Sequence, residues 1–261
     1  MIRSLWTAST GMKAQMTNLD VIANNLANVN TSGFKKSRTD FQDLLYQQLK
    51  APGENTGPES LHPVGQEVGV GVKLAGITKQ FTVGSLTRTD RDLDIAIAGK
   101  GFMQVDGLGG EVLFTRDGSL KLSEDGSIVN SDGYKITGLG TVPSNARGVN
   151  FGPTGEVSYI DEGGTETNVG TIELAMFINP AGLHSMGGNF YQETPASGSP
   201  IVVTPGLEGA GTIQQNFLEL SNVSVVEEMV NMISAQRAYE INSKVIKSTD
   251  EMLATANQLG R

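Results

Sequence analysis

Residues 23–36 read ANNLANVNTSGFKK, and four asparagines crowd the end of a segment whose leucines recur at helical spacing. Asparagine is a mediocre helix former. Thr31-Ser32-Gly33, just beyond the cluster, has the composition of a helix C-cap, so a long helix is expected over residues 1–33. Upstream, Leu5, Met12, Leu19 and Leu26 fall seven apart, and Ala8, Ile22 and Val29 lie three residues after members of that series. This is a heptad seam.

At the other terminus Val225, Met232, Tyr239, Ile246 and Leu253 are also seven apart, and Ala235, Asn242, Thr249 and Ala256 fill a second column. A second helix is expected over 216–261. Seams at both ends predict that the helices pair as a coiled-coil-like bundle; two amphipathic helices packed separately on a central domain is the plainer alternative. Residues 1–34 carry only Arg3, Lys13 and Asp20 as charged groups, whereas an exposed helix face normally alternates Glu and Lys. With Leu26 at heptad position a, Asn24, Asn25 and Asn28 fall at f, g and c, off the seam. Short amides there suit lateral contacts with other helices; capping of a fraying end explains them equally, and the two uses are compatible. Helices of low charge that need neighbours on several faces describe a subunit completing its fold by assembly, and head-to-tail contacts generate rings or helical filaments.

Between the helices the composition changes. Of 33 glycines and 9 prolines, residues 1–50 hold only Gly11 and Gly33, and residues 221–261 only Gly260. The net charge is +3 over residues 1–50, −11 over 51–220 and −1 over 221–261. In FTRDGSLKLSEDGSIVNSDGYKITG, Asp117-Gly118, Asp125-Gly126 and Asp132-Gly133 punctuate short alternating runs, the signal of two-residue hairpins. Glu156 to Tyr159 and Thr171 to Phe177, split by Gly163-Gly164, continue the pattern. A central antiparallel β domain over 71–215 is expected, making the chain α+β. Residues 34–70 read as a short helix and an extended linker. In RTDFQDLLYQQLK, Thr39 and Gln42 have capping-box spacing and Phe41, Leu44, Leu45 and Leu49 make an apolar stripe. APGENTGPESLHPVG follows, too rich in breakers for regular structure.

Composition also excludes functions. A net charge of −9 opposes nucleic-acid binding, which needs a basic surplus. There is no cysteine for disulfides or thiolate chemistry. The N-terminus lacks the apolar stretch of a cleaved signal peptide. The longest apolar run, Leu174 to Ile178, is five residues, against the roughly 20 needed to span a bilayer. His62 and His184 are the only histidines, too few for a multi-histidine metal site. Asp90, Asp92 and Asp94 imitate the start of a calcium loop, but Ile95 and Gly101 stand where that loop needs Gly and Glu; acids along a solvated strand edge explain them better. Neither a P-loop nor a nucleophile elbow is present. No metal, cofactor or catalytic site is expected.

The residues Ala23, Asn24, Asn25, Asn28, Thr31, Gly33, Phe34 and Lys35 closely resemble the signature that ends the N-terminal helix of the flagellar axial proteins, the rod, hook and hook-associated subunits. Residues 219–253, ELSNVSVVEEMVNMISAQRAYEINSKVIKSTDEML, are similar to the family's C-terminal signature, and DLDIAIAGKGFMQV to its middle. The resemblance implies a structural, non-enzymatic subunit of the distal rod. Such a subunit polymerises with itself into a hollow helical drive shaft crossing the periplasm, and touches proximal rod and hook subunits and the surrounding rings. It also implies passage without cleavage through the type III export gate, with Phe41 and Leu45 of FQDLL matching the element that gate recognises; a plain amphipathic helix with Phe41 in the core is the alternative. Residues 46–65 occupy the place of a segment associated with a straight shaft, though their internal sequence differs. A proximal rod or hook subunit is the nearest competitor. A secreted acidic β-domain glycan binder on an oligomerisation stalk is the competitor from another class.

Overall fold

The computed structural model describes residues 2–52, 55–57, 60–61, 64–107 and 109–259, and divides the chain into two units. The first comprises Met1–Leu26, Ser37–Thr78 and Ser224–Arg261, the second Ala27–Lys36 and Lys79–Val223. The units do not divide at the expected boundaries.

The first unit holds helices α1 (Ile2–Ala27) and α2 (Val225–Leu259). Neither matches its expected end. α1 stops at Ala27 because Asn28 and Thr31 turn the chain, the Thr31 N–H donating to the Asn28 carbonyl at 3.2 Å. α2 begins at Val225, after Ser224, whose carbonyl accepts the Glu228 N–H at 3.0 Å. Glu227 and Glu228 occupy its first turn, where the helix dipole favours carboxylates. The stretch before it, expected to be helical, contains the strand Phe217–Glu219.

The helices meet at two points. A Cβ on Gly11 would lie 3.0 Å from Asn242 Nδ2, and Asn25 Nδ2 donates to Glu228 Oε2 at 3.2 Å. Moving forward from Gly11 to Asn25 moves backward from Asn242 to Glu228, so the helices run antiparallel. The buried stripe of α1 runs through Ala8, Ala14, Ile22 and Asn25. Leu5, Met12, Leu19 and Leu26 flank it, half-buried. Ala8 and Ile22 of the expected seam's second column are in this stripe, and Asn25, expected off the seam, is 2% exposed. Its side chain brackets the backbone of Ser37, accepting from the N–H and donating to the carbonyl, both at 2.9 Å. On α2 the second column is deeper, with Ala235 and Thr249 buried and Met232, Ile246 and Leu253 half-buried. Val225 and Tyr239 lie outside it, at 41% and 39% exposure.

The expected short helix over residues 39–50 is instead two strands. Ser37–Asp43 pairs with Val72–Lys79, and Gln47–Lys50 runs antiparallel to Gln66–Val68. Local propensity is a weak prior that tertiary pairing overrides. The Thr39 hydroxyl, read as a cap, donates to Asn18 Oδ1 of α1 at 2.6 Å, and the Leu44 N–H reaches the Gly71 carbonyl. Phe41 is 37% and Leu45 91% exposed, so neither belongs to a core. The expected irregular linker also carries a ladder, Asn55–Gly57 against Ser60–Leu61. His62 lies outside the described residues.

The second unit is β-rich, as expected. Among the described residues a nine-stranded sheet runs Lys121–Leu122, Ile128–Val129, Lys135–Ile136, Phe102–Asp106, Val112–Thr115, Phe190–Gln192, His184–Gly187; Leu174–Met176 joins it beside Phe102 and carries Ile201–Val203. A meander of Gly148–Phe151, Glu156–Ile160 and Glu166–Thr171 adds a second sheet. Side chains of Ile95, Ile97, Met103, Val105, Leu120, Ile128, Ile172, Leu174 and Ile213 form the main core. Five connections repeat one turn, in which the first N–H bonds the fifth carbonyl and the fourth N–H the first carbonyl: 107–111, 123–127, 130–134, 152–156 and 161–165. Two are the expected Asp-Gly hairpins, though the turn is longer than two residues; Gly126, at φ +75°, takes the left-handed position that closes it. Asp117-Gly118 is not a hairpin. There the backbones approach so closely that a Cβ on Gly118 would collide with the Ile95 carbonyl. Asp94, expected on a solvated edge, is 1% exposed and faces Arg91 at 3.6 Å, because the bridge to Ser119 folds it inward.

Among the described residues no helix is long and apolar enough to cross a membrane.

Replacing Asn25 with Leu keeps its branched heavy-atom outline but removes both side-chain bonds to the Ser37 N–H and carbonyl, a cost of about 1–3 kcal/mol. Native-state hydrogen exchange at Ser37 should accelerate accordingly.

Candidate functional site

The family-like motif continues past α1 into the β-rich unit. Asn28 accepts the Thr31 hydroxyl at 3.2 Å, and Asn189 Nδ2 holds the Ser32 carbonyl at 2.9 Å. Gly33 follows at φ +70°, where a Cβ would lie 2.8 Å from the Asp117 nitrogen. Only glycine fits both the conformation and the space. Its N–H donates to the Glu219 carbonyl at 2.8 Å. The turn therefore aims Phe34 and Lys35 inward, and both are buried. Ala23 and Asn24, further back on α1, are exposed.

Lys35 is fully buried, and its Nζ donates to Glu219 Oε1 at 2.5 Å and to the Thr82 carbonyl at 2.6 Å. Arg116 Nε donates to the other oxygen of the same carboxylate at 2.9 Å. The rest of the guanidinium reaches the carbonyls of Gly101 at 2.7 Å and Gly99 at 2.9 Å, with Phe102 stacked 5.9 Å away. The Gly84 N–H gives Glu219 Oε1 another bond, at 2.9 Å. None of the three charged side chains is more than 2% exposed.

Two cations share one anion here, and their protonation reflects it. Burial pushes the Lys35 amine down and the Arg116 charge adds to that, while Glu219 acts the other way; the net shift is downward. Burial pushes the Glu219 carboxyl up, but Arg116, Lys35 and the hydrogen bonds to it outweigh burial and hold it below its ordinary range. Nearby, Lys79 Nζ sits 5.4 Å from the Phe34 ring and 5.5 Å from that of Tyr191, and burial lowers its pKa. Burial raises the Tyr191 hydroxyl to about 12, with Arg116 opposing. Asn222 completes the site, accepting the Lys36 N–H at 2.8 Å and donating to the Gln80 carbonyl at 2.8 Å.

The partners in this network are parts of the chain itself, so it fastens three distant segments together and presents no reactive group. Sequence reading picked out Lys35 but missed Arg116, Glu219 and Asn222. Both charged residues stand in quoted motifs, FTRDG and ELSN, and the signal available was a buried-looking Lys with no local acid. Phe41 and Leu45 lie in the other unit and take no part.

Glu219→Gln should destabilise the β-rich unit by about 3–5 kcal/mol, because it leaves two buried cations without an anion. Lys35→Met in the same chain should recover part of the loss. Because the Glu219 pKa is lowered by folding, its contribution is present above the ordinary carboxylate range and disappears as pH falls through the folded value. Denaturant midpoints measured from neutral to acidic pH should fall less steeply for Glu219→Gln than for the native chain.

Three family models match, and each contributes one member of the charged network. Residues 5–35 match the flagella basal body rod protein model and end at Lys35. Residues 96–159 match the flagellar hook protein FlgE/F/G D1 domain and include Arg116; residues 214–259 match the flagellar basal body rod FlgEFG protein C-terminal model and include Glu219. Whole-chain relatives carry the comparison further. The flagellar basal-body rod protein FlgG of Buchnera aphidicola subsp. Acyrthosiphon pisum is 46% identical over 99% of this chain and 100% of its own. That of Borreliella burgdorferi is 46% identical with both chains fully covered, and that of Bacillus subtilis 38% with the same coverage. With identities this high along the whole length, the chain belongs to the FlgG family of flagellar basal-body rod proteins and is a structural subunit of the flagellar rod.

Proposed function

We propose that this chain is the distal-rod subunit, a non-enzymatic protein that polymerises into the hollow helical shaft carrying torque from the motor to the hook. One observation carries the reading: the two helices leave apolar side chains uncovered. Trp6 of α1 is 68% exposed, and Val226, Met229, Val230 and Ile233 of α2 are between 49% and 72% exposed at spacings of three, four and seven. Such spacing puts them on one helix face. A contiguous apolar face on a soluble chain marks an interaction site, and in a rod subunit the occupant is the next copy. The helices are then coiled-coil-like elements of a larger bundle.

The remaining assignments follow from that role. Proximal rod subunits, hook subunits and the rings around the rod are its neighbours, and the periplasm is its compartment. Export runs through the type III gate without cleavage, and the exposure of Phe41 and Leu45 supports recognition there in preference to a core role. The arm over residues 46–65 is the element we assign to stiffening the shaft.

Val226→Asp with Val230→Asp should abolish rods and swimming while the purified chain keeps the unfolding midpoint of its β-rich unit; normal rods would remove this face from the assembly. Phe41→Ala with Leu45→Ala should retain the chain inside the cell, and undiminished secretion would leave the pair without an export role. Cryo-microscopy of basal bodies locates the chain between proximal rod and hook if the reading holds, and within either one if it does not.

A further inference from the structure

The order in which the chain emerges matters for the buried charges. Lys35 and Glu219 are separated by 184 residues, and Arg116 and Glu219 by 103. A chain that has presented everything through Gly211 holds both cations and lacks the carboxylate between them. Closing the β-rich unit at that stage would bury two like charges with no anion, which is strongly unfavourable.

Backbone pairing imposes the same dependence independently. Leu86–Arg88 and Ile95–Ala98 are the first strands of this unit after its Ala27–Lys36 segment and the end of the Val72–Lys79 strand. Among the described residues the ladder partner of Leu86–Arg88 is Phe217–Glu219, and that of Ile95–Ala98 is Thr212–Gln215. Ile95, Ala96 and Ile97 are each 1% exposed. Buried backbone groups must be paired, so this buried strand, whose Ile95 N–H reaches the Gly118 carbonyl, has no ladder until residues 212–215 arrive. The incoming strand also delivers Ile213, itself 2% exposed, into the main core.

We propose that the segment Thr212–Glu219 is a completion switch for folding, with Glu219 as its charged element. The β-rich unit closes only when this segment arrives, so a chain emerging N-terminus first stays unfolded until little beyond α2 remains. The use of such a switch rests on the export reading above, since a secretion channel passes an unfolded chain; the switch itself does not.

Pulse-labelled hydrogen exchange during refolding of the purified full chain tests it. Amides of Ile95–Ala98, Phe102–Asp106 and Val112–Thr115 should gain protection in the same phase as those of Thr212–Glu219. Glu219→Gln should lose that phase, and Lys35→Met with Glu219→Gln should regain it, because the second change removes the uncompensated cation. Protection of residues 95–115 ahead of 212–219 in the native chain overturns the proposal, as does an unchanged phase in Glu219→Gln. Failure of the double variant to regain the phase overturns the charged element. Retention in the cell of Phe41→Ala with Leu45→Ala is a separate measurement, so a failure of the export reading is distinguishable from a failure of the switch.

Discussion

A single carboxylate between two cations is the constraint around which the β-rich unit is arranged. Glu219 is 1% exposed, so the chain supplies Lys35, Arg116 and the Gly84 N–H in place of solvent, and the cations in turn bond the carbonyls of Thr82, Gly99 and Gly101. Each requirement fixes a stretch of backbone. Gly99 and Gly101 are at φ +140° and +125°, and this backbone conformation presents both carbonyls to one guanidinium. Buried ion pairs add little net stability, because desolvation consumes most of the Coulomb gain. Their effect here is on uniqueness: any register that moves Glu219 off its strand position leaves two charges buried and unpaired.

A milder form of the same device sets the helices. Ala8, Gly11, Ala14 and Ala235 allow close approach but do not distinguish one register from another. Asn25 against Glu228 does, since sliding α2 by a heptad would strip a buried carboxylate of its amide, while the two bonds from Asn25 to the Ser37 backbone hold that amide in place. A single polar residue at a seam specifies register at some expense of stability. Asparagine at the end of α1 is therefore neither a failed helix former nor chiefly a cap. One of the four is the register mark of the helix pair.

Periodicity and turn chemistry are local, and they are what sequence alone disclosed well. The two helices, the acidic β middle and the Asp-Gly turns at Gly126 and Gly133 were all legible, because each is encoded within a few residues. What failed was non-local. Phe41, Leu44, Leu45 and Leu49 make a helical stripe, yet Ser37–Asp43 pairs with Val72–Lys79, a partner that local pattern does not reveal. Asn25 was placed off the α1 seam because leucines outrank asparagine in any hydrophobic count, whereas its burial comes from hydrogen bonds to Ser37 and Glu228. The partners of Lys35 were missed for the same reason, since Arg116 and Glu219 lie in motifs far along the chain.

The chain passes between its two units four times, and two of those passages lie together. Lys36, the last residue of the motif in the β-rich unit, donates its N–H to Asn222, one residue before the segment ends at Val223. Lys35 and Glu219, just inside each passage, are ion-paired. Lys35 and Glu219 of this clamp are buried, and Lys36 and Asn222 are half-buried. Within the β-rich unit Arg116 bonds the carbonyls of Ile97, Gly99 and Gly101, in and between the Ile95–Ala98 and Phe102–Asp106 strands of the main core. For a structural subunit of the flagellar rod, the clamp is a point at which distant parts of the chain are fastened. Apolar surface is left exposed on the helices, while charge is buried inside the β-rich unit, where Lys35, Arg116 and Glu219 hold its distant segments together.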